Sequence, residues 1–113
     1  MNWFVTQLIF RIKSGEGNHT AQFDEQLRLI SANTEEEAYR KALQIGKAEE
    51  DSFINTYNEK VEWQFIGIAE MNKIQELSNG TELCSKIVEA ENADHYAVLI
   101  EQKNSVIESR LLR

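Results

Sequence analysis

The chain has 113 residues, 42% hydrophobic and 27% charged, which is enough for one folded domain with its own core. Twelve Lys and Arg stand against nineteen Asp and Glu, and the formal net charge of -7 argues against nucleic acid and anionic membranes as partners. Cys84 is the only cysteine, which excludes an intrachain disulfide, and no apolar run approaches the roughly 20 residues that cross a bilayer.

The N-terminal residues lack the basic region and the small-residue cleavage site of a signal peptide. With a single thiol and no leader, the sequence predicts a cytoplasmic protein. No proline-, glycine- or serine-rich linker divides the chain, so residues 1–113 are predicted to form one domain.

The first part of the chain predicts a β-hairpin. Within residues 2–13 every second side chain from Phe4 onward lies on one face, and these are Phe4, Thr6, Leu8, Phe10 and Ile12, all apolar except Thr6. The glycine-rich segment 14–20 predicts a loop. A second strand near 21–31 places Phe23, Leu27 and Leu29 on one face and polar side chains on the other, which is typical of an antiparallel sheet with one wet face.

A helix start is the clearest local signal in the chain. The hydroxyl of Thr34 can accept a hydrogen bond from the amide of Glu37, and the Glu37 carboxylate can reach back to the Thr34 amide, as in a capping box. The helix is predicted near 34–50, with Gly46 as a candidate C-cap. Two alanines in its apolar stripe predict close packing on the sheet.

A second hairpin is predicted from strands at 52–57 and 60–70. In the latter strand, Ile66 and Ile68 fall on the face opposite to the aromatic side chains, where another surface should cover them. Gly67 indicates a bulge or the close approach of another segment.

The C-terminal segment 91–113 carries a heptad-like pattern. Side chains recur at alternating spacings of four and three, at Ala93, Ala97, Ile100, Asn104, Ile107 and Leu111. This pattern predicts a helix, interrupted near Asn104, whereas the apolar run within 95–101 is also compatible with a buried strand. Ile100, Ile107 and Leu111 join Ile66 and Ile68 as candidates for an interface.

Together these elements predict an α+β fold in the order ββαβββα. Four or five strands form an antiparallel sheet, the fifth being a candidate strand at 81–90. One helix packs across a face of the sheet, and a helical segment follows at the C-terminus.

Several short motifs follow one another in a fixed order along the chain: Trp3-Phe4-Val5, residues 22–30, residues 34–38, residues 61–68 and Gly80-Thr81-Glu82-Leu83. Their order resembles that of small uncharacterised bacterial proteins, domain-of-unknown-function family 4288. The resemblance covers roughly residues 3–88. It implies a bacterial cytoplasmic protein and brings no catalytic residues with it.

His19 lies close in sequence to Asp24 and Glu25, and a histidine beside carboxylates can perform acid–base chemistry. These three are the only weak catalytic candidates, and a solvated hairpin tip is the preferred explanation for them. Neither HExxH nor paired cysteines are present, so no metal or cofactor site is predicted. Cys84 is expected to be a small buried hydrophobe and not a nucleophile.

Three functional hypotheses fit the sequence. The first is a non-enzymatic binding module that forms a homodimer through its outer sheet face or its C-terminal helix. The second is an acidic inhibitor or immunity-type protein for a basic protein partner. The third is a small hydrolase-like enzyme that uses the His19 loop. The first is favoured because it requires the fewest specific features in the sequence.

Overall fold

The computed structural model describes residues 1–16 and 19–112. Within these residues six elements follow one another: β1 (Asn2–Ser14), β2 (Gln22–Ala32), α1 (Glu35–Ala48), β3 (Asp51–Ile54), β4 (Lys60–Ile74) and α2 (Ala93–Leu111). The described strands form one antiparallel sheet in the order β2-β1-β4-β3, and α1 packs on it. The predicted α+β class is therefore confirmed. Gly17 and Asn18 of the predicted loop, and Arg113 of the C-terminal segment, lie outside the described residues.

The core lies between β1 and α1. Alternate side chains of β1 point towards α1 and are buried. Together with side chains of β2 and α1 they form the core cluster, which consists of Phe4, Leu8, Phe10, Ile30, Ala32, Ala38 and Ala42. Thr6 is fully buried in the same row, and its hydroxyl donates to the Arg28 carbonyl oxygen at 3.1 Å. This bond satisfies the one polar side chain buried among the described residues, so its burial carries little penalty.

Helix α1 begins with the predicted cap, with one difference. The amide of Glu37 donates to the Thr34 hydroxyl at 3.1 Å, as predicted. The Glu37 carboxylate, however, accepts from the amide of Asn33 at 2.9 Å and not from that of Thr34. This backbone hydrogen bond, together with the side chain of Lys41, holds the pKa of Glu37 below its usual value. The cap therefore favours the ionised carboxylate.

Gly46 does not cap α1. It lies inside the helix, and the helix ends beyond it, where the Glu49 amide donates to the Ile45 carbonyl oxygen at 3.0 Å. A Cβ atom at Gly46 would overlap the ring of Phe65 on β4. The glycine is therefore required by the close approach of helix and sheet, a tertiary feature that the capping rule does not contain.

Replacing Gly46 with alanine is expected to destabilise the protein. Alanine favours a helix over glycine by about 1 kcal/mol, but overpacking a close contact typically costs about 1–3 kcal/mol. We expect a lower midpoint in urea unfolding for Gly46→Ala, and less than additive loss when it is combined with Phe65→Leu. Gly67→Ala is the control, because among the described residues no atom other than those of Gly67 and its two chain neighbours lies within 4 Å of its Cβ position. An unchanged midpoint for Gly46→Ala would contradict the steric argument.

Strand β4 contains two irregularities opposite β1. From Phe65 to Gly67, and again from Ile68 to Glu70, β4 spans two residues opposite a single step along β1. Ile66 and Ala69 are therefore extra residues without a partner on β1. The bulge predicted near Gly67 is confirmed. It also turns Ile68 onto the core cluster, so the predicted outward position of Ile68 is wrong. Ile66 stays exposed, at 58%.

The segment after β4 differs from the prediction at 81–90. Residues 75–92 form no helix or strand in the described chain, so the candidate fifth strand is wrong there. Within the described residues this stretch pairs with no strand of the sheet, and an alternation pattern alone does not show whether a strand finds a partner. The segment 95–101 belongs to α2, which continues through Asn104 without a break.

Candidate interaction surface

The imidazole of His19 is held by its own loop. The amide of Ser14 donates to Nε2 at 3.0 Å, which places the ring proton on Nδ1. Nδ1 lies 2.8 Å from the carbonyl oxygen of Thr20 and donates to it. Both ring nitrogens are therefore used by backbone groups, and the side chain closes the turn between β1 and β2.

The other two weak catalytic candidates lie on opposite faces of β2. Asp24 lies on the α1 side, where its carboxylate accepts hydrogen bonds from the indole Nε1 of Trp63 at 3.2 Å and from the side-chain Nε2 of Gln26 at 2.6 Å. Glu25 lies on the other side, paired in register with Ile9. The structure does not bring His19, Asp24 and Glu25 together, and within the described residues no group of three metal-ligating side chains occurs.

A half-buried polar network continues from Asp24 along β2. The Arg28 guanidinium donates through Nη2 to the Gln26 side-chain oxygen at 2.8 Å and lies 3.5 Å from the Glu49 carboxylate after α1. The side chains of Asp24, Gln26 and Arg28 lie on the α1 side of the sheet and are partly buried. The sequence did not predict these hydrogen bonds, because the polar side chains of β2 are expected there to face solvent.

The face assignment of β2 is consequently a correction. Register pairs share a face, and Phe4 pairs with Ile30 while Leu8 pairs with Gln26. The even-numbered residues of β2 therefore face the core side, and Phe23, Leu27 and Leu29 point outward, each more than half exposed. The outer face is apolar along β2 but interrupted by Glu25 and by Arg11 of β1, which pairs with Phe23.

Helix α2 presents a second apolar surface. Within the described residues it contacts no other helix or strand and has no buried side chain. Its start is fixed by Asn92, whose side-chain oxygen accepts from the His95 amide at 2.9 Å. The side chains that this helix leaves exposed include Tyr96, Val98, Leu99, Ile100, Val106, Ile107 and Leu111.

The predicted interface candidates therefore separate into two groups. Ile100, Ile107 and Leu111 are exposed on α2, and Ile66 is exposed on β4, so their role in an interface stays a prediction. Ile68 packs on the core. Cys84 is exposed on the segment between β4 and α2, so the expectation that it is buried is wrong.

The described part of the chain is thus a small α+β domain of four antiparallel strands and one packed helix, followed by a helix that stands apart. The chain belongs to the family described as Domain of unknown function (DUF4288), whose model matches residues 3–85. The resemblance found in the sequence is confirmed, and the match ends before α2. The chain matches no curated protein and no solved structure. No helix among the described residues is both long and apolar enough to span a membrane.

Proposed function

We propose that this protein is a cytoplasmic, non-enzymatic interaction module that forms a homodimer through α2. The observation that carries the proposal is the exposed apolar surface of α2, which no other element covers in the described chain. Contiguous exposed apolar surface typically marks an interface. The lone thiol of Cys84, without a disulfide partner in the sequence, supports a reducing compartment.

The composition of α2 favours a packing partner. Isolated helices are stable in water only when they exceed about 12–15 residues and consist of strong helix formers. Helix α2 has 19 residues and contains β-branched side chains such as Val98, Ile100 and Val106, which lower helix propensity. Most helices of this kind are stabilised by packing of an apolar face, and within the described residues no other helix or strand supplies that packing.

The apolar stripe of α2 fits a second copy of itself. Its members alternate spacings of four and three over the whole helix, and they are Ala93, Ala97, Ile100, Asn104, Ile107 and Leu111. This repeat forms the seam of a coiled coil, in which each helix inserts side chains between those of its neighbour. The stripe contains no charged residue, whereas the outer face of the sheet is interrupted by Arg11 and Glu25. A helix pair is therefore the better-supported dimer.

The proposal is tested by the solution mass of the full chain, measured by light scattering across a salt series under reducing conditions. We expect twice the chain mass of 13.1 kDa, and a monomer for Ile100→Asp. Val98→Asp is the matched control, because Val98 is 47% exposed and Ile100 45%, but Val98 lies off the stripe. We expect this control to remain a dimer.

Two results would contradict the proposal. A full chain that is monomeric at all concentrations and salt levels would remove it. Equal dissociation of the Ile100→Asp and Val98→Asp variants would show that the stripe is not the contact. Heteroassociation with a basic protein that weakens steeply with salt would instead support the acidic-inhibitor hypothesis.

A further inference from the structure

We infer that the two α2 helices of the dimer run parallel and in register, with Asn104 paired with Asn104 of the second copy. This inference rests on the proposed homodimer and adds its geometry. It follows from the positions that polar and charged residues take in the heptad. The polar residue of the seam and the charges beside the seam favour the same orientation.

The heptad assignment is fixed by the stripe. Position d is taken by Ala93, Ile100 and Ile107, and position a by Ala97, Asn104 and Leu111. The flanking e positions are Asp94, Glu101 and Glu108. The flanking g positions are Tyr96, Lys103 and Arg110.

Asn104 is the polar residue of the seam. In a parallel pair, position a faces position a of the partner, so the two Asn104 amides meet and each can donate to the other's carbonyl oxygen. In an antiparallel pair of this helix, a faces d, and Asn104 would lie against Ile100 without a hydrogen-bonding partner. An unpaired buried amide is unfavourable, so Asn104 selects the parallel arrangement.

The charges beside the seam select the same arrangement. Parallel helices bring position g close to the following e position of the partner, which joins Lys103 to Glu108 twice in the dimer. Antiparallel helices bring e close to e, where the carboxylates of Asp94, Glu101 and Glu108 would repel one another. None of the ion pairs within the described residues involves Lys103 or Glu108, so both charges are available to a partner.

A parallel pair has a consequence for the whole molecule. Each α2 is joined to its own sheet domain through residues 75–92, which precede the N-terminal end of the helix. Both sheet domains of a parallel dimer are therefore attached at the same end of the helix pair. The dimer displays two copies of the domain from one end, which is the geometry of a bivalent binding module.

Disulfide trapping in the full chain tests the orientation. In a Cys84→Ser background, Ala93→Cys and Leu111→Cys each place one thiol at an end of the seam. Parallel helices bring identical seam positions within the roughly 4.4–6.8 Å Cα separation of a disulfide. We expect each variant to form a self-crosslinked dimer in a redox buffer, and a mixture of the two to form no crosslink between them beyond the unfolded control in urea.

The outcomes separate this inference from the proposed function. Crosslinking only between Ala93→Cys and Leu111→Cys would show an antiparallel pair and overturn the inference while leaving the homodimer intact. A dimeric mass without any crosslink would show that the seam is elsewhere and overturn it too. A monomeric mass in the same samples would remove the proposed function itself.

Charge reversal tests the flanking contacts independently. Lys103→Glu turns two attractive contacts per dimer into repulsive ones, and we expect the Kd to rise by roughly threefold to thirtyfold at low salt. The double variant Lys103→Glu with Glu108→Lys should restore the original Kd. Lys86→Glu is the control, because it makes the same change in net charge outside the helix. A double variant as weak as the single one, or an equal effect at Lys86, would overturn the parallel assignment.

Discussion

Replacing Phe10 with alanine is expected to lower the free energy of unfolding by about 3–5 kcal/mol, a large part of the roughly 5–15 kcal/mol that holds a domain together. Phe10 is fully buried at the centre of β1. Its ring lies 5.5 Å from that of Phe65, centroid to centroid, in a tilted arrangement. The cavity left by truncation would be bordered by rigid strands and could collapse only in part.

The control for this prediction is Phe23→Ala, measured by the same urea unfolding experiment. Phe23 is 54% exposed on the outer face of β2, although the alternation of that strand predicted it in the core. We expect its truncation to cost less than about 1 kcal/mol, because little apolar area returns to water. A cost as large as that of Phe10→Ala would mean that β2 faces the other way.

The strand β1 and the start of α1 could be predicted because local rules determine them. The spacing of Phe4, Leu8 and Phe10 needs only the period of a strand, and a hydroxyl followed three residues later by Glu37 needs only the geometry of a helix end. Both features are in the structure. The same holds for α2, whose apolar and amide side chains repeat with a helical period throughout.

The failures share a different cause. Whether Leu27 or Gln26 faces the core depends on the register of β2 with β1 and on the area of the sheet that α1 covers. The sequence of β2 alone determines neither. The position of Ile68 depends on irregularities opposite β1, and the need for Gly46 depends on the ring of Phe65 across the helix–sheet contact. Period-based reasoning treats each element alone and cannot contain these tertiary terms.

The candidate surface was predictable in part for the same reason. The seam residues Ile100, Ile107 and Leu111 follow from the heptad alone. That α2 stands apart from the sheet does not, since a helix folded back on the domain would show the same apolar repeat. In contrast, the proximity of His19 to Asp24 and Glu25 in sequence was misleading, because adjacent residues of a strand point to opposite faces.

The double variant Ile100→Asp with Ile107→Asp is expected to convert the dimer to a monomer and to unfold α2 at the same time. The two changes remove the largest side chains from the middle of the seam, and the remaining helix is too weak in intrinsic propensity to persist alone. Because α2 has 19 residues and α1 has 14, the monomer should lose more than half of the helical far-UV circular dichroism signal.

The sheet domain should not respond to that loss. Since α2 contacts no other described element, the urea midpoint reported by the fluorescence of Trp3 and Trp63, both on strands of the sheet, is expected to match that of the unaltered chain. Val98→Asp should keep the mass, the helical signal and the midpoint. A monomer that retains its helical signal would show that α2 is stable by itself, and a lowered midpoint would show that α2 packs on its own domain. Only an intermolecular contact of α2 produces dissociation to the monomer together with a loss of helical signal, while the urea midpoint of the sheet domain stays constant.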